Sequence, residues 1–435
     1  MHNESNQYEL NLILQDFQKG LVKESIIKIK DYIKKFPKDL TAKYNYAIIL
    51  EKINEKIEAS KLYKYILKKN PNHWQSLTNL YLFYFNDSNY LDALPLVTKV
   101  IELKPNYQPA LRDQAHVLYR LNKLDNALKK ILLSVKLNPK DHIALNVMGM
   151  IYSGLKNTKT SKKIYEQAIS LKPSYAPSYS NMAKSLIEEN NRETAVKYLK
   201  KCLELDPNFR EGINNLANIY STSGNPKKAI PLYLKILNKN EKDPEINLNI
   251  AIAYFFEKNY DLAEKYFKIS KHLIPNDDKF KKNYSLFLLF KQDYKKAWEI
   301  GDGRLKLQEY TLPGTWLDNF KNKIWQGEEI KSNHKVLIIK EQGIGDEILY
   351  STMYSEALEF FPNCKIETEE RLLSLFKRSY HNKNIIPFYS ISNNKEAVEK
   401  FDKIIFSASL TRLFRNSKTD FLKKNEIKIN QELSK

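Results

Sequence analysis

Pro37, Pro71, Pro105, Pro139, Pro173 and Pro207 are each 34 residues apart, and Pro275 stands two further periods on. A fixed period of this length marks a chain built from one supersecondary unit used many times, stacked so that each unit buries a face its neighbour completes. Two more columns keep the same step. Ser25, Ala59, Ala93, Ala127, Ser161, Ala195, Ala229, Ala263 and Ala297 form one; Ala47, Ala115, Gly149, Ala183, Ala217 and Ala251 form the other, interrupted by Tyr81 and ending at Ser285. Small residues at fixed places let the two antiparallel helices of a hairpin approach closely, and a proline after the second helix stops it before the next unit begins. Tyr63, Tyr152, Tyr165, Tyr220, Tyr233, Tyr254 and Phe267 fill the intervening core. Asn240 to Lys242 read as a three-residue insertion that pushes the punctuating proline to Pro244, with the register recovered by Ala251. The pattern predicts an α-solenoid of nine units over residues 6–307, wound into a right-handed superhelix with a long concave groove.

On these marks the region resembles the tetratricopeptide repeat. One further column carries functional information. Two positions before the small residue of each first helix stand Asn11, Asn45, Asn79, Asp113, Val147, Asn181, Asn215, Asn249 and Asn283. Asn is about one residue in ten of the chain, so composition accounts for about one of these places. Helix propensity does not favour it, because Asn is a poor mid-helix residue. At 100° per residue the column turns away from the hairpin core. A primary amide offers both donor and acceptor and can pair with the backbone of an extended peptide without reading its side chains. The alternative is that the amides bridge successive helices as a solvated seam. The spacing is similar to the asparagine ladder of O-linked N-acetylglucosamine transferases. That resemblance implies a peptide-binding role for Asn11, Asn45, Asn79, Asn181, Asn215, Asn249 and Asn283, with Asp113 and Val147 breaking the ladder near its middle.

The formal charge of +20 raises the question of nucleic acid, since a basic stripe is the footprint of phosphate binding. The excess is carried by 62 Lys against 9 Arg, dispersed along the chain, whereas base-edge and bidentate phosphate recognition favour Arg. Nucleic acid is therefore not an expected partner. The cysteines, Cys202 and Cys364, are far apart, and the first ten residues show neither a basic segment nor an apolar export core, which reads as a reduced, cytoplasmic protein. No apolar run approaches a membrane span, Tyr284 to Phe290 being the longest candidate. No metal set and no cofactor motif is expected.

The pattern changes in the second half. A connector over 308–333, with Pro313, Gly314, Trp316, Trp325 and Gly327, follows the last unit's Trp298 to Arg304. Lys335 to Lys340 reads as a short strand, Glu341-Gln342-Gly343-Ile344-Gly345-Asp346 as a turn, and Glu347 to Phe361 as a helix. Cys364 to Glu369, Ile385 to Tyr389 and Asp402 to Ser407 read as further strands, with a helix over Glu370 to Tyr380. Such alternation predicts a parallel, doubly wound α/β Rossmann-like domain over 334–435. Two glycines between a buried strand and a helix allow a ligand to approach the positive helix N-terminus.

Trp325-x-Gly327, the strand, the Glu-Gln-Gly-x-Gly-Asp run and Leu375-Phe376-Lys377-Arg378-Ser379-Tyr380 occur in that order. Together they resemble bacterial tetratricopeptide proteins fused to a heptosyltransferase-like domain of glycosyltransferase family 9 type. The resemblance implies an inverting, nucleotide-sugar-dependent transferase fold with Asp346 as base for the acceptor hydroxyl. Glu341, Gly343 and Gly345 of the turn, with Arg371 and Arg378 as guanidinium for an acceptor phosphate or carboxylate, are the substrate-binding candidates. Asp346 as a cap of the following helix is the plainer alternative. Arg412 and Arg415 add guanidinium to this half, where phosphate recognition or simple surface solvation would explain them. About a hundred residues suffice for one half of such a fold, so a separate donor-domain chain is the expected partner if the protein is an enzyme. A pure interaction scaffold carrying a relic domain is the alternative.

Overall fold

The structure is a computed structural model that describes residues 2–301, 320, 322–341, 343–380 and 383–422, with side chains from residue 7 onward. Asp302, Gly303, Arg304, Pro313, Gly314, Trp316 and Gln342 lie outside the described residues, as do most of the connector and the tail from 423. The chain divides into two compact units, residues 1–219 and 220–435.

The first unit is built of helical hairpins. His2–Gln18 is followed by Val22–Lys35, Leu40–Lys52 by Lys56–Lys69, Trp74–Asn86 by Tyr90–Leu103, Gln108–Arg120 by Leu124–Leu137, His142–Gly154 by Thr158–Leu171, and Ala176–Glu188 by Arg192–Leu205. The small-residue columns are buried throughout, from Ser25 and Ala47 to Ala195 and Ala217. Gly149 shows why they must be small: a Cβ there would stand 2.4 Å from the Tyr165 ring. The helix Arg210–Thr222 runs across the division. In the second unit Pro226–Leu237 precedes two more hairpins, Pro244–Phe256 with Tyr260–Leu273 and Asp278–Phe290 with Tyr294–Gly301. Their core is aromatic, with Phe267, Phe280, Tyr284 and Phe287 around Ala251, Ala263 and Ala297.

A column of turns accompanies the columns of packing residues. Gly20, Asn54, Ser88, Asn122, Lys156, Asn190, Gly224, Lys258 and Gln292 all adopt positive φ, each one period from the last. Each closes a first helix in the left-handed conformation that lets backbone N–H groups reach back to orphan carbonyls, as Asn54 N–H to Glu51 and Glu55 N–H to Leu50 show at 3.0 and 2.8 Å. Because only two of the nine are glycine, sequence composition hides them.

The same column corrects the expected insertion before Pro244. Gly224 and Lys258 are one unbroken period apart, so nothing has been inserted. Instead the helix Pro226–Leu237 is 12 residues long where Arg192–Leu205 is 14, and it stops early. Pro244 is not the punctuating proline at all. It is the first residue of its helix, where a missing N–H costs nothing, and Asp243 caps that helix by accepting from the Ile246 N–H at 3.2 Å.

The rest of the second unit carries a small parallel sheet. Strands β1 (Val336–Ile339), β2 (Lys365–Thr368), β3 (Ile385–Pro387) and β4 (Lys403–Phe406) are all parallel in the order β3-β2-β1-β4. Leu337 of β1 sits opposite Lys365 on one side and Ile404 on the other. Alternate residues of β1 enter different cores: Val336 and Ile338 pack with Tyr354, Phe361 and Phe376, while Leu337 and Ile339 pack with Phe320 and Val398. Both faces are therefore covered, which is why the strand is apolar without alternation. The helix expected over 347–361 is two, Ile344–Ser351 and Tyr354–Phe360, divided at Thr352 and Met353. Glu370–Tyr380 is a helix as its periodicity predicts, and a short helix Lys395–Glu399, which the sequence reading missed, leads into β4.

Candidate functional site

The asparagine column occupies the first helices, at the seam between one unit and the next. Asn79 Nδ2 donates to the hydroxyls of Tyr63 and Tyr44 at 3.0 and 3.4 Å. Asn181 Nδ2 donates to Asn146 Oδ1 at 3.0 Å, and Asn215 Nδ2 to Ser180 Oγ at 3.3 Å. In all three cases one acceptor lies 35 residues earlier, on the preceding first helix. The amides are half-buried, and their –NH2 groups belong to the inter-unit contact. Among the described residues no donor reaches the Oδ1 of Asn79, Asn181 or Asn215. Asn11 is exposed and accepts from Gln7 at 3.4 Å, and Asn45 is half-buried. In the second unit, Asn249 is buried and accepts from Lys279 Nζ at 3.2 Å, while Asn283 donates to the Lys279 carbonyl at 2.7 Å.

The two breaks in the ladder are each compensated. Tyr81, the large residue in a small-residue column, donates its hydroxyl to Asp113 Oδ2 at 3.1 Å, so two columns depart together. Asp113 also receives Arg112 Nε at 2.9 Å, and Arg112 reaches Asp141 at 3.3 Å. These neighbours neutralise a carboxylate that burial would otherwise penalise. At the Val147 break the amide has moved by one residue. Asn146 is buried and accepts from both Ser178 Oγ and Asn181 Nδ2.

In the sheet, the residues singled out from sequence fall into two groups. Gly343 and Gly345 begin the helix Ile344–Ser351, beyond the carboxyl end of β1, and Asp346 is exposed in its first turn. Gly343 is the N-cap and the helix has no side-chain cap hydrogen bond, so Asp346 does not serve as the cap. Space is open at Gly345, where a Cβ would meet nothing within 4 Å. Glu341, by contrast, is 2 % exposed and accepts from the Ala408 N–H at 2.8 Å, tying the β1 end to the β4 end. Arg371 is exposed, with Nε 3.4 Å from Glu369 Oε1, and Arg378 lies further along the same helix, half-buried. Neither is brought to Asp346 by a hydrogen bond. The hydrogen bond from Lys340 holds Glu369 below the ordinary carboxylate range.

Arg412 and Arg415 are structural. Arg412 stacks 5.1 Å from the Trp325 ring centroid, donates to the Gln326 carbonyl at 2.7 Å, and packs so closely on Gly327 that a Cβ there could not fit. Arg415 is 3 % exposed and pairs with Glu356 at 2.7 Å. Sequence reasoning missed the buried carboxylates. Glu347 accepts from Thr368 Oγ1 and the Glu369 N–H, and Glu367 Oε1 accepts from the N–H groups of Ile391 and Ser392 at 2.5 and 2.8 Å. Burial pushes the Glu347 carboxyl above its ordinary value. Nothing local distinguishes these residues from surface glutamates. Among the described residues no group of side chains could hold a metal ion, and no helix is long and apolar enough to cross a membrane.

Hairpins at a constant period with small residues at their crossings and a left-handed turn every period define a helical-repeat solenoid, followed by a small parallel sheet. Part of the array matches tetratricopeptide-repeat families. Residues 84–195 match the family described as Psidin, N-terminal TPR repeats region, and residues 186–246 match the family Tetratricopeptide repeat. A solved tetratricopeptide repeat protein from Parabacteroides merdae ATCC 43184 is 16 % identical with a TM-score of 0.52, over 57 % of this chain and 99 % of that one. The APC/C hetero-tetramer Cut9-Hcn1 is 16 % identical with a TM-score of 0.48, over 61 % of this chain and 52 % of that one; the chain thus spans about half the length of that neighbour. A thermophilic TPR protein of Thermus thermophilus is 22 % identical with a TM-score of 0.40, over 42 % of this chain and 99 % of that one. No curated protein matches the chain.

Proposed function

We propose that the repeats hold an extended polypeptide segment along their first helices, with the asparagine column as the backbone-reading element. The observation that supports this most is the division of labour within each amide. In Asn79, Asn181 and Asn215 the –NH2 group is fixed by the preceding unit, and that fixes the direction of the Oδ1 acceptor, which no donor among the described residues uses. A pre-oriented acceptor recurring once per unit suits the N–H groups of an extended chain, and its orientation cost is met on folding. The seam and the ladder are then two halves of one arrangement.

Peptides selected from a random dodecamer library against the full chain provide the test. Replacing Asn79, Asn181 and Asn215 together by Ala removes the acceptors and also the inter-unit hydrogen bonds of their –NH2 groups, two at Asn79 and one each at Asn181 and Asn215, about 1 kcal/mol apiece. The expected result is a folded protein with a lower melting temperature and at least tenfold weaker binding of the selected peptides. Equal affinity in the folded triple variant would reduce the column to a structural seam.

A second reading concerns the sheet. The order β3-β2-β1-β4 reverses direction at β1, and the glycine turn leaves β1 at that point, which is where open α/β sheets take ligands. An exposed Asp346 beside open space at Gly345 suits an acceptor-hydroxyl base in a glycosyltransferase-like fold. Transfer also needs a donor diphosphate to be neutralised, and no second glycine turn between strand and helix is present among the described residues. On this reading the chain binds acceptor and requires a donor-domain partner for turnover. Hydrolysis or transfer of a nucleotide sugar by the purified chain, abolished in Asp346→Asn, would show instead a self-sufficient transferase.

A further inference from the structure

The position seven residues after each asparagine-column residue lies two helical turns further along the same stripe. It reads Gln18, Lys52, Asn86, Arg120, Gly154, Glu188 and Thr222, and then Phe256 and Phe290. The last two are not buried core. Phe256 is 64 % exposed and Phe290 49 %, and Leu286, three residues after Asn283 on the same helix, is 50 % exposed. Phe290 is nevertheless held in place, its ring 4.4 Å from Tyr260 and 5.5 Å from Phe255. An aromatic side chain that is fixed on one edge and wet on the other is the form a binding anchor takes, since little rotamer entropy remains to be lost.

Charge marks the other end of the stripe. Lys279, one turn before Asn283, gives its ammonium to the neutral amide of Asn249 at 3.2 Å, and among the described residues no carboxylate pairs with it. A solvated Lys would ordinarily carry no message in so basic a chain. Here it sits on the same stripe as Asn283, Leu286 and Phe290, so acid, backbone and apolar recognition follow one another along a single helix.

We infer that the last two repeats form an apolar subsite of the peptide-binding face, taking an extended segment that presents aromatic or large aliphatic side chains next to an acidic residue. This rests on the peptide-binding reading above and adds to it a choice of side chain, which the amide column alone lacks. The repeats up to Thr222, with polar residues or, at Gly154, a glycine at the same place, read backbone without that preference.

The test uses the full chain and three fluorescein-labelled dodecapeptides: one with two Asp followed by three alternating Phe on a Gly-Ser framework, one with the Phe replaced by Ser, and one with the Asp replaced by Lys. Anisotropy should give at least tenfold tighter binding of the Asp-Phe peptide than of either control. Phe256→Ser with Phe290→Ser should abolish the preference for Phe, and Lys279→Ala the preference for Asp. Circular dichroism and the melting temperature check that these exposed substitutions leave the helices intact. If no peptide binds, and none is selected from the random library, the peptide-binding reading itself falls. Binding that ignores Phe content, or that Phe256→Ser with Phe290→Ser leaves unchanged while the asparagine variant weakens it, overturns the subsite and spares the ladder. A shift from dimer to monomer in the Phe variant by sedimentation, without any loss of peptide preference, assigns the patch to self-association and overturns the subsite likewise.

Discussion

Tyr81 and Asp113 leave their columns together and pair with each other, and where Val147 breaks the ladder the amide reappears at Asn146. In the sheet, Glu341, Glu347 and Glu367 are each buried on a different backbone or hydroxyl partner, and no two share a rule. Both regions must satisfy buried polar groups, because an unpaired one costs more than the bond is worth. The repeats do it with a device used once per unit, so an exception in one unit has to be answered in its neighbour. In the sheet each solution is singular. Repetition thus makes polar burial predictable and also makes its exceptions correlated.

The contrast is most easily broken by removing one singular solution. Arg415→Ala leaves the Glu356 carboxylate without its 2.7 Å partner and withdraws donors from the Thr352 and Phe414 carbonyls. A loss of about 3–5 kcal/mol is expected for breaking such a buried pair. Urea unfolding followed by hydrogen exchange should place the loss in residues 322–422 and leave exchange in residues 7–219 unchanged; a uniform loss would mean that the sheet's network is not local.

Gly149→Ala probes the repeats in the same way. A glycine inside a helix usually costs about 0.5–1 kcal/mol relative to alanine. Here the added methyl would stand 2.4 Å from Tyr165, so the sign should reverse, with about 1–3 kcal/mol of destabilisation from overpacking. Stabilisation in a melting experiment would mean that Tyr165 moves freely.

Correlation between units is measurable directly. A double-mutant cycle of Tyr81→Phe and Asp113→Asn should give a coupling of about 0.5–3 kcal/mol, although the two residues belong to different hairpins. Additive effects would show that the joint departure of the two columns is accidental.

Acidification should separate the regions with the smallest effect of the set. Burial, with Arg120 and Arg112 near, pushes the His116 imidazole down to about 4, so the fold favours its neutral form. Its contribution is complete above pH about 6.5 and is lost as the pH falls toward 4. Burial raises the Glu347 carboxyl, so its contribution is complete below pH about 4.5 and is lost as the pH rises through the folded value. Between pH 7 and 5 hydrogen exchange, corrected for its intrinsic rate, should quicken around His116 and slow around Glu347. His116→Phe, which keeps the ring contact with Phe85, should flatten the first change, and Glu347→Gln the second. The same sign in both regions would contradict the assignment.

Much of this was legible in the sequence because it repeats or alternates. The small-residue columns, the strands and the glycine turn follow from period and pattern alone. The turn column was not, since the left-handed positions at Asn54, Ser88, Lys156 and Gln292 use residue types common elsewhere in the chain. Pro244 misled for a related reason, proline being at home both after a helix and at its first residue. Glu341 looked like part of a ligand loop and is instead a tie between strand ends. Which of two roles a glutamate takes depends on a neighbour 67 residues away, and no local window contains it.

The unbroken spacing of the turns makes the array editable in whole periods. Deleting residues 157–190 would join Lys156 to Asn191 with every column still in phase, and Asn215 would inherit Asn146 as its acceptor in place of Ser180. Deleting residues 89–122 keeps the phase equally well, yet it removes Asp113 and leaves the Tyr81 hydroxyl opposite Val147. Length can therefore change by duplication or loss at some places and not at others, and the paired exceptions act as the splice-forbidden joints of an otherwise modular chain.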